Sequence, residues 1–246
     1  MFDIVAYHRP TTLPDALRLL AEDHRVALAG GVHLRHDPSG KRVDLVDLQA
    51  AGLDAIDSDD STLTVGATVR LRTLADDVRV PALLRDTATA EQPSTLRSLA
   101  TVGGAVATAF DDSLLLAALL VHDAVVRVAS HDGGERSVTL AELLASGLTS
   151  RELIVDVTVA TSGSGSTART GRTPRDRPIV GVAGRRVTGS EGDVTVLAAC
   201  GLGSTPQLFG PDTVNSLQAV DDHRATASYR LHLAEVSAGR VLKDLA

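Results

Sequence analysis

Two pairs of adjacent glycines are the residues of this chain whose types and spacing could do chemistry. Gly30-Gly31 follows a short apolar segment, and Gly103-Gly104 follows Thr101-Val102 and precedes a run of small side chains. Glycine adopts positive φ readily and has no Cβ to shield its N–H, so such a turn can lie directly against a phosphate. One Gly-Gly pair alone is more often an ordinary tight turn. Two pairs, each expected behind an apolar strand, predict one extended diphosphate that is bound from two sides.

The other chemical candidates in the sequence are weaker. Gly201-Leu202-Gly203 imitates the start of a dinucleotide fingerprint, but the third glycine is missing, which predicts a strand-end turn. The eight histidines show no metal-ligand spacing, and His122, between two apolar segments, is predicted to be structural. Cys200 is the only cysteine and is expected to be a buried thiol. We therefore predict no metal site and no catalytic side chain, so that any chemistry would come from a cofactor.

The composition limits the class of protein. A length of 246 residues predicts two packed units, and 43% hydrophobic residues with only 2% aromatic predict a core of Leu, Val and Ala. A net charge of −7 argues against a nucleic-acid binder. No apolar stretch approaches the length of a membrane span, and no secretory signal pattern begins the sequence. We expect a cytoplasmic protein.

The hydrophobic pattern indicates which elements position the glycine pairs. Over about residues 1–57, strands alternate with a helix that begins after Thr12, which predicts a small α/β subdomain. Over residues 58–160, most strands have no long helix between them, which predicts a mixed or antiparallel sheet. A short helix is predicted over 140–146 within this subdomain.

The last third of the sequence predicts a separate small α+β domain. Residues 161–174 are rich in Ser, Thr, Gly and Arg and contain no large apolar residue, so we predict a linker or mobile loop. Residues 175–246 contain two predicted strands and a helix over about 226–245. The predicted apolar stripe of this helix is Tyr229, Leu233, Val236, Val241 and Leu242.

Five short motifs occur in the order of one known family. They are Phe2-x-x-x-x-Tyr7-x-x-Pro10, Leu28-Ala29-Gly30-Gly31, Leu45-x-Asp47-Leu48, Val65-Gly66-Ala67 and Thr101-Val102-Gly103-Gly104. With these motifs the chain resembles the FAD-binding (medium) subunit of molybdenum hydroxylases. This family includes the medium subunit of carbon monoxide dehydrogenase and the flavin domain of xanthine dehydrogenase. Glu152-Leu153-Ile154 extends the resemblance toward the C-terminal part.

The resemblance implies an α+β fold. A vanillyl-alcohol-oxidase-type FAD-binding domain is implied over residues 1–160, followed by the linker 161–174 and a small C-terminal flavoprotein domain over 175–246. In the family, FAD lies between the two subdomains with its diphosphate on the Gly-Gly loops. The implied cofactor-binding residues are Leu28, Ala29, Gly30, Gly31, Val32, His33, Leu34, Arg35, Thr101, Val102, Gly103, Gly104, Ala105 and Leu148, with Asp111 and Asp112 as candidates for the ribose.

The resemblance also implies an oxidoreductase subunit. In the family this subunit accepts electrons from a [2Fe–2S] small subunit and passes them to an external acceptor, while a large molybdenum-cofactor subunit hydroxylates the substrate. The implied assembly is a dimerised heterotrimer without nucleic acid and without a membrane span. Because Cys200 is the only cysteine, the chain cannot ligate an iron–sulfur cluster itself and needs a partner that delivers electrons.

Several side chains depart from the family pattern. Val32 and His33 replace polar residues, Ala105 replaces Asn or Asp, and Leu114 replaces the carboxylate expected at the FAD ribose. Each lost hydrogen bond to FAD would cost about 1 kcal/mol, and restoring a carboxylate at position 114 is predicted to tighten FAD by roughly 1–3 kcal/mol. Two alternatives stay open: a cofactor-depleted scaffold between partner subunits, and a stand-alone small-molecule binder. FAD binding ranks first, because the glycine pairs would have little reason to stay open without an anion.

Overall fold

The computed structural model describes residues 3–32, 42–149, 151–173, 176–190, 192–203 and 205–246, which form three sheets with their helices. The strands in these ranges are β1 (Asp3–His8), β2 (Arg25–Leu28), β3 (Arg42–Asp47), β4 (Ile56–Ser58), β5 (Thr62–Gly66), β6 (Val125–Ser130), β7 (Gly134–Thr139), β8 (Leu153–Ala160), β9 (Ser164–Thr170), β10 (Val180–Gly189), β11 (Gly192–Cys200) and β12 (Gln207–Phe209). The α-helices are α1 (Leu13–Leu20), α2 (Leu71–Asp76), α3 (Ala82–Glu91), α4 (Ser94–Arg97), α5 (Val102–Thr108), α6 (Leu114–Val121), α7 (Leu140–Ser146) and α8 (Ala227–Leu245).

The first sheet is parallel and has the order β1-β3-β2. Helix α1 begins where the sequence predicts, because the Thr12 hydroxyl accepts a hydrogen bond from the Asp15 N–H at 3.3 Å and Pro14 lies in the first turn. The central strand β3 is buried from its second residue to its last, as expected for a strand with neighbours on both edges and a helix above it. The small α/β subdomain is therefore confirmed.

The second sheet is antiparallel throughout and has the order β4-β5-β8-β6-β7. It confirms the predicted sheet of the second subdomain. Helix α6 consists entirely of apolar residues, and all of them are buried. A helix that is apolar on every side is typical of a position inside the core. It packs between the helices of this subdomain and strands β10 and β11 of the third sheet, and Ala183, Ala198 and Cys200 of those strands join the same core. One apolar helix thus links the second sheet to the C-terminal part.

The third sheet is an antiparallel meander with the order β12-β11-β10-β9, and α8 packs against β9 and β10. Strand β9 lies inside the segment predicted to be a linker, so that prediction is wrong for residues 164–170. β9 is an edge strand that pairs with β10 from Thr170↔Val180 to Ser164↔Arg186, and Ala168 packs under α8. Small polar residues suffice there because the backbone ladder supplies the pairing.

No helix among the described residues is both long and apolar enough to cross a membrane.

The buried face of α8 differs from the predicted stripe. Leu233 and Val241 are buried, but Tyr229 and Val236 are 48% and 38% exposed. Arg230 is fully buried instead, and its guanidinium donates to the Gly201 carbonyl and pairs with Asp222 Oδ1 at 2.5 Å. A charged residue that finds such partners can occupy a core-facing position.

Candidate functional site

A cavity of about 280 Å³ lies where the first sheet meets the helices of the second subdomain. Its walls come from the end of β2 and the residues after it, the first turn of α5, the loop after α7 and the start of β8. The predicted site residues that line it are Ala29, Gly30, Gly31, Val32, Thr101, Gly103, Gly104, Ala105 and Leu148. The fold therefore brings both glycine pairs to one cavity.

Other predicted site residues lie elsewhere. Leu28 and Val102 do not line the cavity, and Val102 is buried in the core of the second subdomain. Asp111 and Asp112 do not line it either. His33, Leu34 and Arg35 lie outside the described residues.

The first glycine pair lines the cavity. The N–H groups of Gly30, Gly31 and Val32 meet no acceptor among the described residues. Gly31 has φ of 69°, a conformation that side chains with a Cβ rarely adopt. Gly30 is required for packing, since a Cβ there would lie 1.8 Å from the carbonyl oxygen of Leu99. Backbone donors of this kind are suited to an anion.

The second glycine pair is arranged differently from the prediction. Gly103 and Gly104 lie in the first turn of α5 and follow helix α4, not a strand. Their N–H groups donate to Ala67 O at 2.9 Å and to Thr101 Oγ1 at 3.1 Å, so both are occupied. A Cβ on Gly103 would lie 2.6 Å from the Cβ of Ala67. Internal packing alone therefore explains Gly30 and Gly103, so these two glycines are not by themselves evidence for an anion.

Asp112 belongs to a charged group that we call the Asp112 cluster: Glu91, Asp112, Arg177 and Arg224. The two carboxylate oxygens of Asp112 accept hydrogen bonds from Arg177 Nη1 and Arg224 Nη1, each at 2.8 Å. Arg177 also reaches Glu91 Oε1 at 3.2 Å and stacks over the ring of Phe110 at 4.5 Å. Both oxygens of Asp112 are thus engaged by the C-terminal part of the chain, which argues against its predicted use at a ribose.

Glu91 is a cavity residue that the sequence reasoning missed. It ends helix α3, lines the cavity together with Gln92, and its side chain is 4% exposed. Burial raises the pKa of Glu91 to about 7, although Arg177 and the Leu115 N–H favour the charged form. The sequence did contain a signal for the burial of Glu91. It lies seven residues after the buried Leu84, and this spacing places both side chains on the same face of the helix.

Glu152 supports the wall that carries Leu148. Its Oε2 accepts a hydrogen bond from the Thr149 N–H at 2.9 Å, and its Oε1 accepts one from Arg136 Nε at 2.9 Å. Burial alone would raise the pKa of Glu152, but these two donors hold it below its usual value. The loop after α7 is therefore held by a charged carboxylate, and Leu148 with it.

The remaining candidates have structural roles. The Nδ1 atom of His122 is 2.7 Å from the Ala160 carbonyl oxygen, and burial lowers the pKa of this histidine to about 4. Cys200 is a buried free thiol whose pKa burial raises. Gly201 and Gly203 form the predicted strand-end turn, both with positive φ. Across the described ranges, no three His, Cys, Asp or Glu residues are grouped as a metal site requires.

Comparison with known proteins identifies the class of protein that this fold and cavity represent. The family described as the FAD binding domain in molybdopterin dehydrogenase matches residues 2–161. The chain belongs to this family, and FAD is its cofactor.

Individual relatives are more distant. The uncharacterized protein YgfM of Escherichia coli K12 is 34% identical over 125 residues, which is 49% of this chain and 48% of that protein. The xanthine dehydrogenase FAD-binding subunit of E. coli O157:H7 is 30% identical over 145 residues, 54% of this chain and 49% of that protein. The matches thus span about half the length of these relatives.

Solved structures agree over the whole chain. Quinoline 2-oxidoreductase from Pseudomonas putida 86 matches with a TM-score of 0.85 at 20% identity, covering 100% of this chain and 98% of that one. Carbon monoxide dehydrogenase from Hydrogenophaga pseudoflava matches with a TM-score of 0.86 at 19% identity and the same coverage. At this identity the likeness establishes the fold, which confirms the predicted fold class.

The residues of the cavity fit FAD. Small apolar side chains of its walls leave room for flat rings, and the N–H groups of Gly30, Gly31 and Val32 can donate to a diphosphate. None of the described lining residues is Lys, Arg or His. Within that part of the wall, the charge of the diphosphate would be met by neutral donors, among them the backbone N–H groups of the first glycine pair.

We expect Gly31→Val to abolish measurable FAD binding while the chain stays folded. A β-branched residue is strained at the positive φ of position 31, and its side chain would cover the N–H donors of the first pair. A Cβ at position 31 meets only Leu28 Cδ1, at 3.3 Å, so the core has little to lose. Flavin fluorescence titration measures the FAD affinity of the variant, and circular dichroism measures whether it is folded. Unchanged FAD affinity in the folded variant would refute the role of Gly31.

Proposed function

We propose that the chain is the FAD-binding electron-transfer subunit of a molybdenum hydroxylase-type complex. In this role it takes electrons from a [2Fe–2S] partner subunit and passes them to an external acceptor, while a separate molybdenum-cofactor subunit acts on the substrate. When bound, FAD supplies the change from one-electron to two-electron transfer that such a chain of carriers needs. The proposed assembly is a dimer of heterotrimers in the cytoplasm.

The observation that carries the proposal is the first glycine pair at the cavity of an FAD-binding family member. Gly30, Gly31 and Val32 would bind the diphosphate through their N–H groups. Leu148, held in place through Glu152, would pack against an apolar part of the cofactor. The buried walls would exclude water from the bound group.

Electron delivery by a partner follows from what the chain itself contains. Cys200 is the only cysteine of the sequence and is buried, so no iron–sulfur cluster can be ligated by this chain. The relatives with solved structures are named as quinoline oxidoreductase and carbon monoxide dehydrogenase, both oxidoreductases. Their structural likeness to this chain supports the oxidoreductase class. In the proposed complex, a partner subunit selects the substrate.

A scaffold role is the second candidate, and two observations favour it. The N–H donors of the second glycine pair are already occupied, and Leu114 is buried where the family's ribose carboxylate is expected. Both features weaken the contacts to FAD. The N–H groups of the first pair, which have no acceptor within the described part of the chain, favour the flavin role, because a scaffold has no use for them.

Purification of the chain from its native host under mild conditions tests the proposal. We expect a yellow complex with a flavin absorbance band, a cysteine-rich [2Fe–2S] chain and a large molybdenum chain. The flavin band should bleach when the substrate of the complex is added anaerobically. A colourless complex with the same partners would support the scaffold role. A lone chain with full reductase activity on a soluble substrate would refute both.

A further inference from the structure

The chain between α7 and β8 forms one wall of the cavity. We call its residues 147–149 and 151–152 the wall segment. Leu148 and Glu152 of this segment line the cavity, and Leu148 also packs against the core of the second subdomain. Gly147 begins the segment with φ of 73°, a conformation that ends α7 and turns the chain away from the helix. Where Leu148 lies therefore depends on what holds the residues after it.

A second cavity of about 140 Å³ adjoins the wall segment. Thr149, Arg151 and Glu152 line it from the wall segment, and residues 130–132 line it from the turn between β6 and β7. Glu152 lines both cavities, so the wall segment lies between two open spaces. Beyond the Leu148 side chain, close packing therefore holds this segment weakly, and its polar contacts decide where it lies.

The polar contacts of the wall segment centre on the carboxylate of Glu152. Its Oε2 accepts the hydrogen bond from the Thr149 N–H, and the Glu152 N–H donates in turn to the Thr149 carbonyl at 3.2 Å. Its Oε1 lies 2.9 Å from both Nε and Nη2 of Arg136 in β7. One oxygen thus closes the wall segment on itself, and the other fastens it to the second sheet. A further pair, Arg151 with Asp23, joins side chains that are 52% and 87% exposed, so it holds the segment more weakly.

Arg136 and Glu152 differ in their exposure to water. The Arg136 side chain is 45% exposed and lies outside the cavity, whereas the Glu152 side chain is 13% exposed. Without Arg136, the mostly buried carboxylate of Glu152 loses its arginine partner and is drawn toward water. Because Glu152 is bonded to Thr149, this movement displaces Thr149 and the adjoining Leu148 from the wall.

We propose that Arg136 is a positioning residue of the FAD site, which acts through Glu152 and Thr149 to hold Leu148 against the bound cofactor. This inference rests on the proposed function and deepens it, since it names a residue outside the cavity on which the affinity for FAD depends. Arg136 touches neither FAD nor the cavity. Its contribution is to keep the wall in the shape that the cofactor fits.

Titration of FAD into the full chain, followed by flavin fluorescence, tests the proposal. Arg136→Ala should weaken FAD binding about tenfold, which is the effect of losing one hydrogen bond to a charged group. Its midpoint of urea unfolding should stay unchanged, because a half-exposed arginine contributes little to global stability. Arg136→Lys keeps the charge and can make one of the two contacts, so its FAD affinity should lie between those of Arg136→Ala and the unmodified chain.

Glu135→Ala is the matched control for the loss of an ion pair on β7. Glu135 precedes Arg136 in this strand, pairs with Arg127 at 2.8 Å and has a side chain that is 49% exposed. It lines neither of the two cavities. Its replacement should therefore leave the affinity for FAD unchanged.

A double-mutant cycle with Leu148→Ala tests whether Arg136 acts through Leu148. In the Leu148→Ala chain the positioned side chain is gone, so Arg136→Ala should weaken FAD no further. Equal losses in both backgrounds would overturn the inference, because they are the result of a general charge effect on the diphosphate. Unchanged affinity in the Arg136→Ala chain would also overturn it, and this measurement stands even if Leu148→Ala fails to fold. Absence of FAD binding by the unmodified chain would instead refute the proposed function, and this inference with it.

Discussion

Leu114→Asp should destabilise the chain by at least about 3 kcal/mol and should not tighten FAD. Leu114 is 3% exposed in the main core, and its Cδ1 lies where a Cβ on Gly181 of β10 would approach to 2.9 Å. Removing a buried leucine side chain costs about 2–5 kcal/mol, and burying a carboxylate without a partner adds to this cost. The expectation that a carboxylate at this position restores a ribose contact conflicts with this packing.

Urea unfolding measures the loss of stability in Leu114→Asp, and a flavin fluorescence titration measures its FAD affinity. Leu114→Met preserves volume and should cost less than about 1.5 kcal/mol, so it serves as the control for altered packing. A loss of 3 kcal/mol is a large share of the 5–15 kcal/mol that holds a typical domain together. A folded Leu114→Asp chain that binds FAD more tightly would show that position 114 reaches the cofactor, as the family pattern predicts.

Asp112→Ala should cost about 3 kcal/mol of stability, because it strands two arginines. The Asp112 side chain is 11% exposed, and its partners Arg177 and Arg224 are 25% and 28% exposed. Removing one partner of a buried ion pair typically costs 3–5 kcal/mol, and the partial exposure of the arginines places the loss at the lower end. Since Arg224 also donates to the Pro178 carbonyl at 2.8 Å, the loss should loosen the segment before β10.

Two variants separate this effect from a general loss of charge. Asp112→Asn keeps one carbonyl oxygen and should lose less stability than Asp112→Ala. Asp23→Ala breaks an exposed pair with Arg151, in which the Asp23 side chain is 87% exposed, and should leave the unfolding midpoint unchanged. Equal effects of Asp112→Ala and Asp23→Ala on urea unfolding would show that the Asp112 cluster contributes nothing to stability.

The local elements of the fold could be predicted from the sequence because their signals lie within a few residues. Thr12 with Pro14 predicts the start of α1. Helix α7 lies over the predicted residues 140–146, between a Thr139 cap with Glu142 and Gly147 at φ of 73°. Caps and turns act through neighbouring backbone groups, so they survive in almost any tertiary setting. The order of the family motifs, through the resemblance that it carries, predicted the fold class into which these elements are arranged.

The candidate site was predictable only in part. The sequence identified both glycine pairs, and both line the cavity. Their different states depend on contacts from distant segments. Leu99 packs on Gly30, whose N–H has no acceptor among the residues that the structure describes, whereas the Ala67 carbonyl accepts a hydrogen bond from the Gly103 N–H. The spacing of glycines along the chain carries no information about which backbone comes to lie against them.

Charge pairing was decided by the tertiary structure alone. Asp112 meets Arg177 across 65 residues of sequence and Arg224 across 112. Glu91 becomes a cavity residue only when α3 packs against α6, and its pKa follows from that burial. Hydrophobic periodicity and capping are short-range effects that a sequence displays directly. The partner of a charged group, and whether water reaches it, depend on which segments fold together.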